Sequence, residues 1–165
     1  MPHLIRPMRP EDARAFLEVH HAAVRGLASR DYSPEVIEAW APLPVTARHV
    51  EAVRSNPDGE YRLFAEIDGR AVGVSCIVAE NSELRAYYDA PSASRRGVGS
   101  ALLGDIERAA RERGSTYLEA DSSLTAESFY SRNGYLVRER GAHILRNGQG
   151  MACVRMRKTL ALQIS

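Results

Sequence analysis

Cysteine is nearly absent: Cys76 and Cys153 are the only two, with no CxxC spacing and no Cys/His cluster of metal-ligand type, so no metal is expected. Each sits in a strand-like run and is expected as a small core residue. An excess of one charge is missing too. Twenty-two Lys and Arg stand against 21 Asp and Glu, a formal net charge of +1, which gives no broad field for holding a polyanion and argues against nucleic-acid binding. No run approaches the ~20 apolar residues of a membrane span, and the first nine residues lack the apolar stretch of a signal peptide. A cytoplasmic protein with no membrane partner is expected. No low-complexity tract or fixed-period repeat interrupts the chain. What is there is an ordinary globular composition, 44% apolar and 26% charged, over 165 residues, the size of one domain spanning residues 1–165.

Residues 4–8 read as a short extended segment, and Pro10-Glu11-Asp12 as a helix start, because proline suits the first helical turn and acids favour the positive end of the helix dipole. Ala13, Phe16, Leu17, Val24 and Leu27 recur at helical spacing. Ser33-Pro34-Glu35 predicts a second, short helix ended by Pro42 and Pro44, and a third begins near Thr46 and stops before Asn56-Pro57-Asp58-Gly59. From Glu60 the period changes to two. Tyr61, Leu63, Ala65 and Ile67 alternate with polar residues, Asp68-Gly69 gives a type I′ turn, and an apolar run over residues 71–78 completes a hairpin.

Residues 84–89 predict the next strand, and residues 97–113 a helix with Val98, Leu102, Ile106, Ala109 and Ala110 on one side and Gly114 as its stop. A strand over 115–121, a short helix over 125–132, a strand over 135–140 and a last strand over 151–158 after Asn147-Gly148 follow. The order indicates an α/β domain with a mixed sheet.

The chemistry concentrates in residues 89–103, a strand, a basic loop with two glycines and an amphipathic helix: Ser94-Arg95-Arg96-Gly97-Val98-Gly99-Ser100. Glycines allow close approach of a ligand to the backbone, and the first turn of a helix has N–H groups without partners, so the segment suits a pyrophosphate. It is not a dinucleotide fingerprint, since the third glycine is missing, nor a Walker A loop, since no Lys follows the glycine.

Here the sequence resembles the GNAT superfamily of acetyltransferases, whose signature is a strand, then roughly Gln/Arg-x-x-Gly-x-Gly/Ala, then a helix that opens onto the pyrophosphate of acetyl-CoA. Ser94 stands where Gln or Arg is usual, which leaves the grip to backbone amides of Arg95, Arg96, Gly97, Val98, Gly99 and Ser100. A second match follows in the expected place: residues 123–135, Ser-Leu-Thr-Ala-Glu-Ser-Phe-Tyr-Ser-Arg-Asn-Gly-Tyr, are similar to the family's Asn-x-x-Ala-x-x-Leu/Phe-Tyr-x-x-x-Gly-Phe/Tyr stretch, with Ser123 in place of Asn. Ile5-Arg6-Pro7 before Glu11-Asp12 resembles the usual opening of the fold, and Asp31-Tyr32-Ser33-Pro34 with Trp40 resembles a subgroup of bacterial members of unassigned substrate.

The resemblance implies a mixed, mostly antiparallel sheet flanked by helices, with splayed fourth and fifth strands that hold the donor acetyl-CoA. It implies transfer of acetyl to a primary amine in a ternary complex, with Tyr130 as proton donor to the CoA sulfur. Tyr87, Tyr88, Asp89, Ser123 and Phe129 are implied on the cofactor side, and Tyr32 and Trp40 on the acceptor side. His20 and His21 lie in the same N-terminal region and are expected as core or rim residues. For the general base Glu83, Asp89, Glu119 and Asp121 all stay open, because an alternating strand sends only some of them into the cleft. The acceptor is open among a small amine, an antibiotic, a peptide N-terminus and lysine. An acetyl-CoA sensor without turnover and a transferase of longer acyl groups are the alternatives, and a homodimer is allowed.

Overall fold

The computed structural model describes residues 3–90 and 97–161. Extended residues Leu4–Pro7 form β1, and a single 3₁₀ turn at Pro10–Asp12 leads into α1, Ala13–Leu27. Two short helices follow, each started by a hydroxyl side chain that accepts from the third backbone N–H: Ser33 for α2, Pro34–Trp40, and Thr46 for α3, Ala47–Ser55. The alternating segment forms β2, Tyr61–Ile67, and turns into β3, Arg70–Val78, through Asp68 and Gly69. Both turn residues have positive φ, 52° and 75°, as a type I′ hairpin requires.

The second half comprises β4, Glu83–Asp89; α4, Val98–Glu112; β5, Tyr117–Ser123; α5, Glu127–Arg132; β6, Leu136–Ile144; and β7, Gly150–Thr159. The seven strands lie in one sheet in the order β1-β2-β3-β4-β5-β7-β6. Every neighbouring pair is antiparallel except β4 and β5, which run parallel and share a single paired position, Glu83 with Glu119. The two strands therefore meet only at their N-terminal ends and part beyond them. The α/β architecture and the splayed central pair agree with the expectation.

One face of the sheet is covered by α4. Leu102 and Ile106 join Leu63, Ala65, Ile77, Leu84 and Leu118 in the main core, and a Cβ on Gly73 would come 3.1 Å from Leu102 Cδ2, so β3 and α4 approach as closely as a glycine permits. The other face is covered by α1, whose Val19 packs on Phe64 and Val74, while Val24 and Ala28 pack on Ile37 and Ala41. Of the stripe expected on α1, Ala13 and Val24 are buried and Phe16, Leu17 and Leu27 half-buried, while Val19 and Ala23 complete its core side.

Two strands run well past their expected ends. β5 runs on to Ser123, and β6 extends past Arg140 to Ile144, because β7 pairs with it as far as Gly150. β6 is an edge strand exposed along its whole length, so burial leaves no period in its sequence to mark its end. Among the described residues no helix is long and apolar enough to cross a membrane.

One buried ion pair ties α4 to the sheet. Glu107, 5% exposed, accepts from the Tyr135 hydroxyl at 2.8 Å and from Lys158 Nζ at 2.9 Å. Removing one partner of such a pair leaves an uncompensated charge, so Lys158→Ala is expected to destabilise the fold by about 3 kcal/mol. Lys158→Ala with Glu107→Gln should recover part of the loss, as read by urea unfolding, and an additive pair of effects would contradict the coupling.

Candidate functional site

The site begins with an irregularity in β4. Cys76 of β3 pairs with Ala86 and its neighbour Ile77 pairs with Leu84, so Arg85 is one residue too many and the strand bulges there. The bulge breaks strict alternation. Leu84 and Tyr87 both turn toward α4, while Tyr88 turns toward α1. Past the bulge ordinary alternation resumes, and the adjacent tyrosines reach opposite sides of the sheet where β4 leaves β5.

Between the parted strands lies an open cleft of about 560 Å³. Tyr87 and Tyr88 line it from β4, Ser123 from β5, Tyr130 from α5 and Trp40 from α2. Of the other expected site residues, Phe129 stands behind Tyr87, and Asp89 ends β4 outside the lining. Arg95 and Arg96 fall outside the described residues.

Next to Tyr87, just outside the cleft lining, α4 begins. Gly97, with φ of 75°, is its N-cap, and neither a side-chain cap nor an acid in the first turn serves the helix, unlike α2 and α3 with their hydroxyl caps. A Cβ at Gly97 would meet no atom within 4 Å. Among the described residues the first-turn backbone N–H groups of Val98, Gly99 and Ser100 have no side-chain cap, and the dipole at this end favours an anion. Over this turn lies the Tyr87 side chain, stacked on Phe129 with ring centroids 4.8 Å apart and planes 14° from parallel. A Cβ on Gly99 would overlap the Tyr87 hydroxyl and lie 3.3 Å from Phe129 Cε2. That hydroxyl is buried without a hydrogen-bond partner among the described residues. An orphan buried hydroxyl costs about 1–3 kcal/mol, which a polar ligand at this place would offset.

Tyr130 is 5% exposed, with its ring edge-on to those of Tyr87, Phe129 and Tyr135. Burial pushes its phenol well above the ordinary value, and Tyr88 and Asp89 nearby push the same way. Tyr87 is shifted upward by burial, then by Asp89, and Tyr88 is pushed up to about 12, mainly by burial. Burial also raises the Asp89 carboxyl. All three phenols therefore hold their protons at neutral pH.

Ser123 Oγ accepts from Ala126 N–H at 3.1 Å and fixes the turn into α5. Tyr32 does not line the cleft. Its hydroxyl donates to the Ala152 carbonyl at 2.6 Å and accepts from Leu124 N–H at 2.8 Å, and its ring meets Trp40 edge-on at 5.8 Å. It braces Trp40 from behind. Trp40 also packs edge-on against Tyr88 and His20. Burial and the adjacent His21 lower His20 to about 3, so it is a poor proton acceptor at neutral pH. The ring nitrogens of His21 face the Leu17 and Pro42 carbonyls at 2.8 and 2.9 Å, a structural role.

Three of the candidate bases line the cleft, each beside an arginine. Glu83 lies 3.0 Å from Arg85, Glu119 pairs with Arg157, and Asp121 lies 3.3 Å from Arg155. Asp121 also stands 3.5 Å from Nδ1 of His143, a cleft residue that sequence reasoning missed because it lies beyond the expected end of β6. The Asn147-Gly148 turn was the available signal, since pairing extended backward from it places His143 opposite Met151. Both cysteines are buried as expected, and Cys153 also faces the cleft.

Comparison with known proteins agrees with this geometry. The family described as acetyltransferase (GNAT) domain matches residues 28–160. Aminoglycoside N(6')-acetyltransferase type 1 of Klebsiella aerogenes is 30% identical over 122 residues, 74% of this chain and 80% of that protein. Spermidine N(1)-acetyltransferase of Thermoplasma acidophilum is 27% identical, covering 82% of this chain and 89% of its own. Among solved structures, a GCN5-related N-acetyltransferase from Rhodopseudomonas palustris superposes with a TM-score of 0.86 at 29% identity, covering 97% of both chains. The PaiA N-acetyltransferase of Thermoplasma acidophilum, solved with coenzyme A, shares the fold with a TM-score of 0.72 at 23% identity, over 96% of this chain and 99% of its own. The chain belongs to the GNAT acetyltransferase family and is an acyl-CoA-dependent N-acetyltransferase.

Proposed function

We propose that this enzyme transfers acetyl from acetyl-CoA to a primary amine by direct attack within a ternary complex held between β4 and β5. The observation that carries the reading is the buried, protonated phenol of Tyr130 on a cleft that it shares with Tyr87, whose hydroxyl lies against the first turn of α4 at Gly99. The first-turn N–H groups of α4 hold the pyrophosphate, and the sequence adds Arg95 and Arg96 immediately before them. Tyr87, Tyr88 and Ser123 flank the pantetheine arm, with Phe129 backing Tyr87 and Asp89 at the end of β4 beyond the lining, and the Tyr87 hydroxyl gains a polar partner there.

Tyr130 gives its proton to the leaving sulfur as the C–S bond breaks. Burial disfavours the phenolate, but the same surroundings disfavour a thiolate, so the two shifts largely cancel in the transfer. The bulge at Arg85 frees the β4 backbone from regular pairing where the thioester carbonyl needs a hydrogen-bond donor.

The acceptor enters past Trp40 and meets the carboxylates of Glu83, Glu119 and Asp121, which suits an ammonium group such as those of the aminoglycoside and spermidine acceptors named for the relatives. Trp40→Ala is expected to raise the acceptor KM about tenfold, equivalent to ~1.4 kcal/mol, with acetyl-CoA affinity unchanged. Equal loss of both affinities would place Trp40 in the donor site or in the core instead. The function itself is tested by screening amines with acetyl-CoA and detecting released thiol, where amine-dependent release is expected and donor binding without acetylated product would refute it.

A further inference from the structure

Resting on the ternary-complex reading, we infer that His143 is the base that takes the proton from the acceptor ammonium, with Asp121 as its positioning residue. Glu83 and Glu119 are poor competitors. Arg85 lies against Glu83, and both Nε and Nη2 of Arg157 reach the same oxygen of Glu119. In each case a guanidinium already occupies carboxylate oxygen that the acceptor ammonium would have to reach. His20 is held neutral by burial.

His143 has what these groups lack. Its side chain is 51% exposed and lines the cleft, and Nδ1 faces Asp121 at 3.5 Å, which leaves Nε2 for the acceptor. At that separation the pair is a charge contact, which draws Nδ1 toward Asp121 and turns Nε2 away from it. The local sequence makes room for this contact. Ser123, Cys153 and Gly141 form a row across β5, β7 and β6, with Asp121 before it on β5 and His143 after it on β6. Gly141 adds no side chain to the row, and a Cβ built there would meet nothing within 4 Å. The imidazole can lean across to Asp121 over that gap.

The charged and titratable groups facing it are Asp121 on β5, Arg155 on β7 and Glu139 on β6, where Arg155 joins the two acids at 3.3 and 2.7 Å. Cys153 on β7 keeps its proton, because burial raises its thiol, and Tyr130 on α5 is protonated.

The proton balance closes. Neutral His143 takes one proton from the ammonium and passes it to solvent. The freed nitrogen lone pair attacks the thioester carbon, the C–S bond breaks, and Tyr130 protonates the thiolate. The second proton leaves the nitrogen as the amide forms and restores Tyr130. One amide, one thiol and one released proton result.

The test uses the best acceptor from the amine screen, with spermidine and kanamycin included, and the variants His143→Ala and Asp121→Asn. For His143→Ala, kcat/KM at pH 7 is expected to fall about 10²-fold, with acetyl-CoA affinity by calorimetry and the unfolding midpoint unchanged. The deficit should narrow as pH rises and the free amine becomes abundant, and added imidazole should restore part of the rate. Asp121→Asn should lower kcat with little change in KM and show no imidazole rescue. A His143→Ala enzyme within about threefold of the wild type, or one equally impaired at all pH values and deaf to imidazole, overturns the assignment. A wild type that acetylates no amine overturns the underlying reading as well, so the two failures are distinguishable.

Discussion

Tyr130→Phe is expected to lower kcat by about 10²–10³-fold while leaving acetyl-CoA affinity within about twofold. The ring is held by packing alone, edge-on to Tyr87 at 6.2 Å, Phe129 at 5.7 Å and Tyr135 at 5.3 Å. Phenylalanine preserves all three contacts. Among the described residues the Tyr130 hydroxyl has no side-chain or backbone hydrogen bond to lose, so the substitution removes the proton donor and little else. Single-turnover acetyl transfer and calorimetry separate the two effects. Unchanged turnover with chemistry limiting would remove Tyr130 from the mechanism.

Gly99→Glu is expected to abolish measurable acetyl-CoA binding. The new Cβ would overlap the Tyr87 hydroxyl and press on Phe129, displacing the stacked pair beside the cleft, and the carboxylate would occupy the anion-favouring end of α4. Gly99→Ala carries the steric part without the charge, and about a tenfold loss of affinity is expected from it. Gly104, on the same helix, has open space around a prospective Cβ, so Gly104→Ala should bind normally and gain about 0.5–1 kcal/mol of stability. A folded Gly99→Glu protein with wild-type affinity would refute the pyrophosphate site.

Much of this was legible because local chemistry and fold coincide. Ser33 and Thr46 cap helices as their positions suggest, Asp68-Gly69 turns a hairpin, and the predicted apolar stripe of α4 is its buried face. The parts that escaped depend on the sheet as a whole. Arg85 looks like any strand residue, and only its registration against β3 reveals the bulge that brings Leu84 and Tyr87 to the same face. β6 lies at an exposed edge with no buried period, so His143 was missed although Asp121 was considered. Tyr32, expected to form the acceptor wall, spends its hydroxyl on Ala152 and Leu124, partners 120 and 92 residues away that no local pattern could name.

The central claim is catalytic transfer in the β4–β5 cleft, and the most direct measurement is mass analysis of an amine panel incubated with acetyl-CoA, paired with thiol detection, for the wild type and Tyr130→Phe. Acetylated amine and free thiol in equal amounts, both strongly reduced in Tyr130→Phe, is the predicted result. Tight acetyl-CoA binding with no acetylated amine from any member of the panel would contradict the account and make the protein a sensor of its donor.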